Sequence, residues 1–127
     1  MEQTRIEQTI LKNLLQSDSF ARKVLPFVKA EYFTETDEKT VFEGVESYFE
    51  KYTKTPTMEA LLINLENNTS LQDNVLKSSK TIVKEIGNSS EETPQDWLID
   101  EAEKWCKDRA IYIAVMDSIE VLDEKSQ

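Results

Sequence analysis

The side chains that usually carry out chemistry are mostly missing from this sequence. Its 127 residues contain no histidine, which removes an imidazole base, a His-based zinc site and a Ser-His-Asp constellation. Gly44 and Gly87 are the only glycines, so neither G-x-x-x-x-G-K-[ST] nor G-x-G-x-x-G is present, and the chain does not bind nucleotide by those means. The carboxylate pairs Glu91 with Glu92 and Asp100 with Glu103 have the ligand chemistry for a divalent cation. Solvated acidic faces look the same in sequence, so no metal and no cofactor is assigned to this chain. Cys106 is the single cysteine; it excludes an internal disulfide framework, suits a reducing compartment, and is expected to pack. The chain therefore reads as non-catalytic.

What remains is the chemistry of interaction. Trp97 and Trp105 are eight residues apart, about 80° around a 3.6-residue helix, so only one need face a core. Trp105, Arg109 and Tyr112 fall within two turns, and these residue types tend to carry binding energy at interfaces. For Arg109 the plain reading is a snorkelling side chain; the functional one is a salt bridge to an acid on a partner helix. All of them lie on one long predicted helix, residues 94–125, with Thr93 as N-cap, Pro94 in the first position and Asp96 answering the helix dipole. At 1.5 Å per residue it runs roughly 45–50 Å, longer than a compact domain of this size is wide, so it must project.

Along that helix Leu98, Ala102, Trp105, Arg109, Tyr112, Met116 and Ile119 follow alternating steps of four and three, a seam that wants a partner. Residues 110–116, with Ile113 at their centre, are apolar without a break, so cover is expected on more than one side. Either earlier helices fold back over this stretch, or a following helix or a second copy of the chain completes the packing. The candidate interface residues are Trp97, Trp105, Arg109, Tyr112, Ile113, Met116 and Ile119.

The elements that must position them read as an all-α head. Helix one, residues 3–16, carries Ile6, Ile10, Leu14 and Leu15 inward and turns Arg5, Glu7, Gln8, Lys12 and Asn13 away. Ser17 or Asp18 caps a second helix with Phe20, Val24 and Leu25, which Pro26 breaks. A short turn at 30–33 drops Tyr32 and Phe33 into the core. Thr34 or Thr36 caps the third helix, whose Val41, Phe42, Val45, Tyr48, Phe49 and Tyr52 form the aromatic centre. Gly44 within it marks close approach by a neighbouring helix. Thr57 caps a fourth helix with Leu61, Leu62 and Leu65 inward. Ser70, three before Asp73, caps a fifth, which Gly87 ends. The predicted organisation is a globular head of about five helices at 1–88, a polar Ser-rich linker at 89–93 lacking apolar anchors, and the long helix at 94–127.

Twenty-five acidic residues against fifteen basic ones give a formal charge of −10, the wrong sign for counterion-release binding to phosphate backbones. Direct DNA binding is not expected, whereas docking a basic protein is compatible with this charge. No basic, apolar leader follows Met1 and no run of 18 apolar residues occurs, so neither export nor membrane insertion is expected.

The order of these segments resembles a known family. Ile6-Glu7-Gln8-Thr9-Ile10-Leu11 with Leu14-Leu15, Phe33 followed by Lys39-Thr40-Val41-Phe42, and Pro56-Thr57-Met58-Glu59-Ala60-Leu61 look like the N-terminal domain of DnaB-type replicative DNA helicases. Val24-Leu25-Pro26-Phe27 with Glu31-Tyr32-Phe33, and Asp96-Trp97-Leu98 running into Glu101, Glu103-Lys104 and Arg109-Ala110, are similar to the branch from T4-like bacteriophages. Many bacterial members carry a small residue where this sequence has Lys12, and a His or Arg where it has Lys39, which again favours the phage branch.

The resemblance implies a helical head and the first arm of a helical hairpin, with a second arm and a RecA-like ATPase domain beyond Gln127. It implies a non-catalytic collar domain that organises the hexamer with other helicase subunits and offers docking surfaces to primase and the helicase loader. ATP and Mg²⁺ would belong to the absent motor, and the site of action would be the cytoplasm of the infected bacterial host. Other classes fit the composition: a stand-alone acidic helical protein that inhibits a basic nucleic-acid enzyme, an unrelated helical dimerisation module, or a metal-carboxylate enzyme.

Overall fold

The computed structural model describes residues 5–125. They form α1 (Ile6–Gln16), α2 (Asp18–Val24), a 3-10 turn (Ala30–Tyr32), α3 (Thr36–Tyr52), α4 (Met58–Asn67), α5 (Asp73–Asn88) and α6 (Gln95–Lys125), with no strand among the described residues. The all-α expectation holds. Its predicted start of helix one, at residue 3, lies outside the described residues.

Helix α1 is the hub, packing against α2, α3, α5 and α6. Ile10, Leu11 and Leu14 are fully buried in it, as the apolar stripe predicts for Ile10 and Leu14. The structure corrects the polar side. Lys12 and Asn13, expected to face water, are buried because residues 89–94 return across them. Lys12 donates from Nζ to the Glu91 carbonyl, and Gln95 Nε2 donates to Asn13 Oδ1 at 3.1 Å. Gln16 Nε2 adds donations to the carbonyls of Ile86 and Ser89, both at 3.0 Å. The linker lacks apolar anchors, yet it is pinned through polar ones.

Two of the expected caps form. Ser17 accepts from the Phe20 amide at 3.1 Å, and Thr57 accepts from the Ala60 amide at 3.1 Å, each satisfying one orphan donor of a first turn. Two do not. The residue before α3 is Glu35, without a side-chain cap, and Thr36 is already helical. The residue before α5 is Gln72, while the Ser70 hydroxyl donates to Asn68 Oδ1 at 2.6 Å in a local turn. Short polar side chains abound in both loops, and only backbone geometry selects which reaches an amide.

Gly87 is also corrected: it lies within α5, and no glycine has a positive φ, so it is not a left-handed terminator. Both glycines instead mark contacts between helices. A Cβ on Gly44 would stand 2.8 Å from Leu61 Cδ1, and one on Gly87 would stand 2.6 Å from Met58 Sδ. Leu61 is fully buried and has no room to yield, whereas the half-buried Met58 can swing its thioether aside. Overpacking costs about 1–3 kcal/mol against at most ~1 kcal/mol gained in helix propensity. Gly44→Ala is therefore expected to lower the melting temperature and Gly87→Ala to leave it unchanged or raise it. The same direction of shift for both would show that the Leu61 contact does not set the requirement.

The core comprises residues from every helix, including Phe20, Val24, Phe33, Val41, Phe42, Leu61 and Val83. Glu38 is buried within it at 1% exposure, with the Arg5 guanidinium 3.1 Å from its Oε1. Burial pushes its carboxyl above the usual range and outweighs the pull of Arg5 and Gln8. A carboxyl raised in the folded state adds stability when protonated, and that contribution is lost as pH rises through the raised value. Glu38→Gln is thus expected to raise the melting temperature at pH 7 and to lose that advantage towards pH 4. An advantage that persists unchanged at pH 4 would exclude the buried charge as its source.

Helix α6 is not separate from the head along its whole length. Leu98, Ala102 and Cys106 belong to the common core, and α6 packs on α1, α2 and the 3-10 turn. Its start is one residue later than expected: α6 is assigned from Gln95, and the Pro94 carbonyl accepts from the Leu98 amide at 3.0 Å, so Pro94 rather than Thr93 stands at the N-cap position.

Candidate interaction surface

The seam along α6 divides in two. Leu98 and Ala102 are fully buried on the head, and Trp105 follows them half-buried. Its ring meets Phe33 at 4.9 Å and Tyr32 at 6.1 Å between centroids, both edge-on, and Phe33 in turn lies 5.0 Å from Phe42 of α3. Edge-on pairs at these separations are favourable ring geometries. Trp105 therefore ties α6 to the aromatic centre of the head.

Arg109 closes the packed part. Its Nε donates to the Tyr32 carbonyl at 2.7 Å, and its guanidinium lies 4.9 Å from the centre of the Tyr112 ring, within cation–π range. Within this chain Arg109 stands at the edge of the seam, as the plain expectation has it, held by a backbone carbonyl and a ring face. Its fork satisfies a backbone acceptor of the 3-10 turn and steadies the first exposed aromatic of the arm.

Beyond Arg109 the helix leaves the head. Ile113 is half-buried against the edge of the core, but Tyr112, Met116 and Ile119 are 54%, 40% and 45% exposed. The earlier helices do not fold back over residues 110–116. Ile111, Val115, Val121 and Leu122 are also exposed. These four were not among the candidate residues. The unbroken apolar stretch at 110–116 contains Ile111 and Val115, which lie beside the seam, about 60–100° round the helix from Tyr112. Val121 and Leu122 lie one turn further on, among Asp117, Glu120 and Asp123, where charge masked them. Together these side chains leave the far half of α6 with an exposed apolar surface.

Trp97 stands apart from this surface. It is 52% exposed and lines a polar groove with Arg5, Lys12, Glu85 and Glu92 at the start of α6. The structure thus brings Trp105, Arg109 and Tyr112 into one contact chain, continues it along Ile113, Met116 and Ile119, and leaves Trp97 on another face.

The Cys106 thiol is buried, and burial first, with Glu103 second, pushes it up to about 11, far from the thiolate character a nucleophile needs. Among the described residues no group of three or more Cys, Asp or Glu is placed to hold a metal ion, and no helix is long and apolar enough to cross a membrane.

No protein-family profile matches the sequence. The chain is similar to the DnaB-like replicative helicase of Enterobacteria phage T4, with 30% identity over 114 residues. That match takes in 90% of this chain and 23% of the phage protein. The chain thus spans about a quarter of the length of the relative it matches, an extent consistent with one N-terminal domain.

Proposed function

We propose that this chain is the N-terminal collar domain of a phage replicative DNA helicase, a non-catalytic part that organises the subunits of the hexamer and receives primase and the helicase loader. The observation that carries the reading is the match along nearly the whole chain to a quarter of a replicative helicase. The fold supports it physically. A head with its own core presents an apolar arm, and burying such a surface is the main source of association energy. A second helix of the same protein, paired with the arms of other subunits, would supply the cover that residues 110–122 lack. ATP and Mg²⁺ would be bound by a motor domain elsewhere in the longer protein, and its work would be done in the cytoplasm of the infected host.

The test begins with the source gene. The reading frame beyond the codon for Gln127 is expected to continue through a second amphipathic helix into a Gly-rich Lys-Ser or Lys-Thr loop, and the full product is expected to scatter light as a hexamer and to retain the phage primase on a column. A stop codon directly after Gln127, or a full product that stays monomeric with nucleotide, would overturn the proposal.

A further inference from the structure

A second surface lies on the head, away from the arm. Between α2 and α3 is a notch of about 300 Å³ lined by Ala21, Leu25, Pro26 and Phe49, with Arg22, Glu46 and Glu50 at its rim. Pro26 produces it: a proline cannot continue α2, so the chain turns away and leaves the sides of Leu25 and Phe49 half-covered. On α3, Glu46 and Glu50 are four residues apart, on one side of the helix and roughly 6 Å from each other.

Two cations near this rim, Arg22 across the notch and Lys51 beside Glu50 in sequence, make their contacts elsewhere. Arg22 points a guanidinium nitrogen to the Thr53 carbonyl at 3.4 Å, and Lys51 lies 5.3 Å from the centre of the Tyr52 ring. Neither makes an ion pair with Glu46 or Glu50 among the described residues. The Glu46 carboxyl is held above its usual range by burial first, then by Glu50 and Glu43. Part of its desolvation cost is therefore already met by folding, so an incoming cation gains attraction with less water left to strip.

We propose that the notch between α2 and α3 is a docking site for a basic amphipathic segment of a partner protein. One bulky apolar side chain of that segment seats against Ala21, Leu25 and Phe49, and Lys or Arg one helical turn away meets Glu46 and Glu50. Apolar contact supplies the anchor and the acid pair supplies orientation. The net charge of −10 steers the same class of partner towards the molecule. This inference does not depend on the helicase reading; it stands on the head alone.

A synthetic 15-residue amphipathic helix of Leu, Lys and Ala, and its counterpart with Glu for Lys, serve as probes in calorimetry on the full chain. The Lys peptide is expected to bind with salt-sensitive affinity. Glu46→Gln with Glu50→Gln should weaken it about tenfold, through the loss of two screened rim ion pairs. The variant Ile111→Ser, Val115→Ser, Leu122→Ser should bind as tightly as the parent, and the Glu peptide should not bind. Absence of saturable binding by the Lys peptide overturns the proposal. So does binding that survives the two glutamine substitutions but is lost in the arm variant, or equal binding of the Glu peptide. The glutamine substitutions remove charge without removing volume, and an unchanged melting curve confirms that the head stays folded.

Discussion

Phe33→Ala is expected to lower the melting temperature by about 15 °C, from a loss of about 3–5 kcal/mol. Phe33 is 1% exposed and stands between Phe42 of α3 and Trp105 of α6, so truncation leaves a cavity that removes support from two rings at once. Small domains have only about 5–15 kcal/mol of stability to lose. The loss should also appear as faster proteolysis within α6, because the helix then holds the head mainly through Leu98, Ala102 and Cys106. Phe33→Leu, which keeps most of the volume, should shift the melt much less. A drop under 5 °C for Phe33→Ala would mean that the aromatic chain is not what ties α6 to the head.

The opposite behaviour is expected on the arm. Ile111, Val115 and Leu122 are 62%, 52% and 64% exposed, so replacing all three by serine should leave the melting temperature of this chain nearly unchanged, each surface change being worth less than about 0.5 kcal/mol. In the full helicase we propose, the same change should weaken assembly by about a hundredfold. Each side chain has roughly half its area still to bury, about 1 kcal/mol apiece, and three together approach 3 kcal/mol. Light scattering over a dilution series measures this directly. An assembly that dissociates at the same concentration as the parent would place the contacts elsewhere, and a large fall in melting temperature would mean that the arm is not free of the head.

The helices themselves were legible because periodicity is a local property. The stripe of α1, the buried Val41, Phe42 and Val45 of α3, and the caps at Ser17 and Thr57 needed only neighbours within a few residues, whereas Tyr52, expected in the same aromatic centre, is 51% exposed because no described helix covers the end of α3. Long-range events were not legible in the same way. Lys12 and Asn13 look like solvent residues on a helical wheel, and they are buried because a segment some 80 positions later crosses them and supplies a carbonyl and an amide. Gly87 looks like a terminator because glycine often is one; the side chain of Met58, from another helix, decides its role. On α6 the four-and-three spacing runs through buried Leu98 and exposed Met116 alike, so the sequence does not mark where the head stops. That point lies at Arg109, whose donation to the 3-10 turn is made to a backbone atom and leaves no pattern in residue types. The notch between α2 and α3 has a partial signal in Pro26, without any indication that Phe49 would stand across from it.

The tether at Arg109 has a mechanical consequence. From there to Lys125 the helix extends about 24 Å, held at one end only, so it acts as a lever whose fulcrum is the contact of Trp105 and Arg109 with the turn at 30–32. A rotation of roughly 10° at that fulcrum carries the tip through about 4 Å, close to one step along a helix groove at 5.4 Å per turn. In the assembly we propose, which residues of a second helix would meet Met116, Ile119 and Leu122 would therefore be set at the other end, by the packing of two aromatic rings and one guanidinium inside the head.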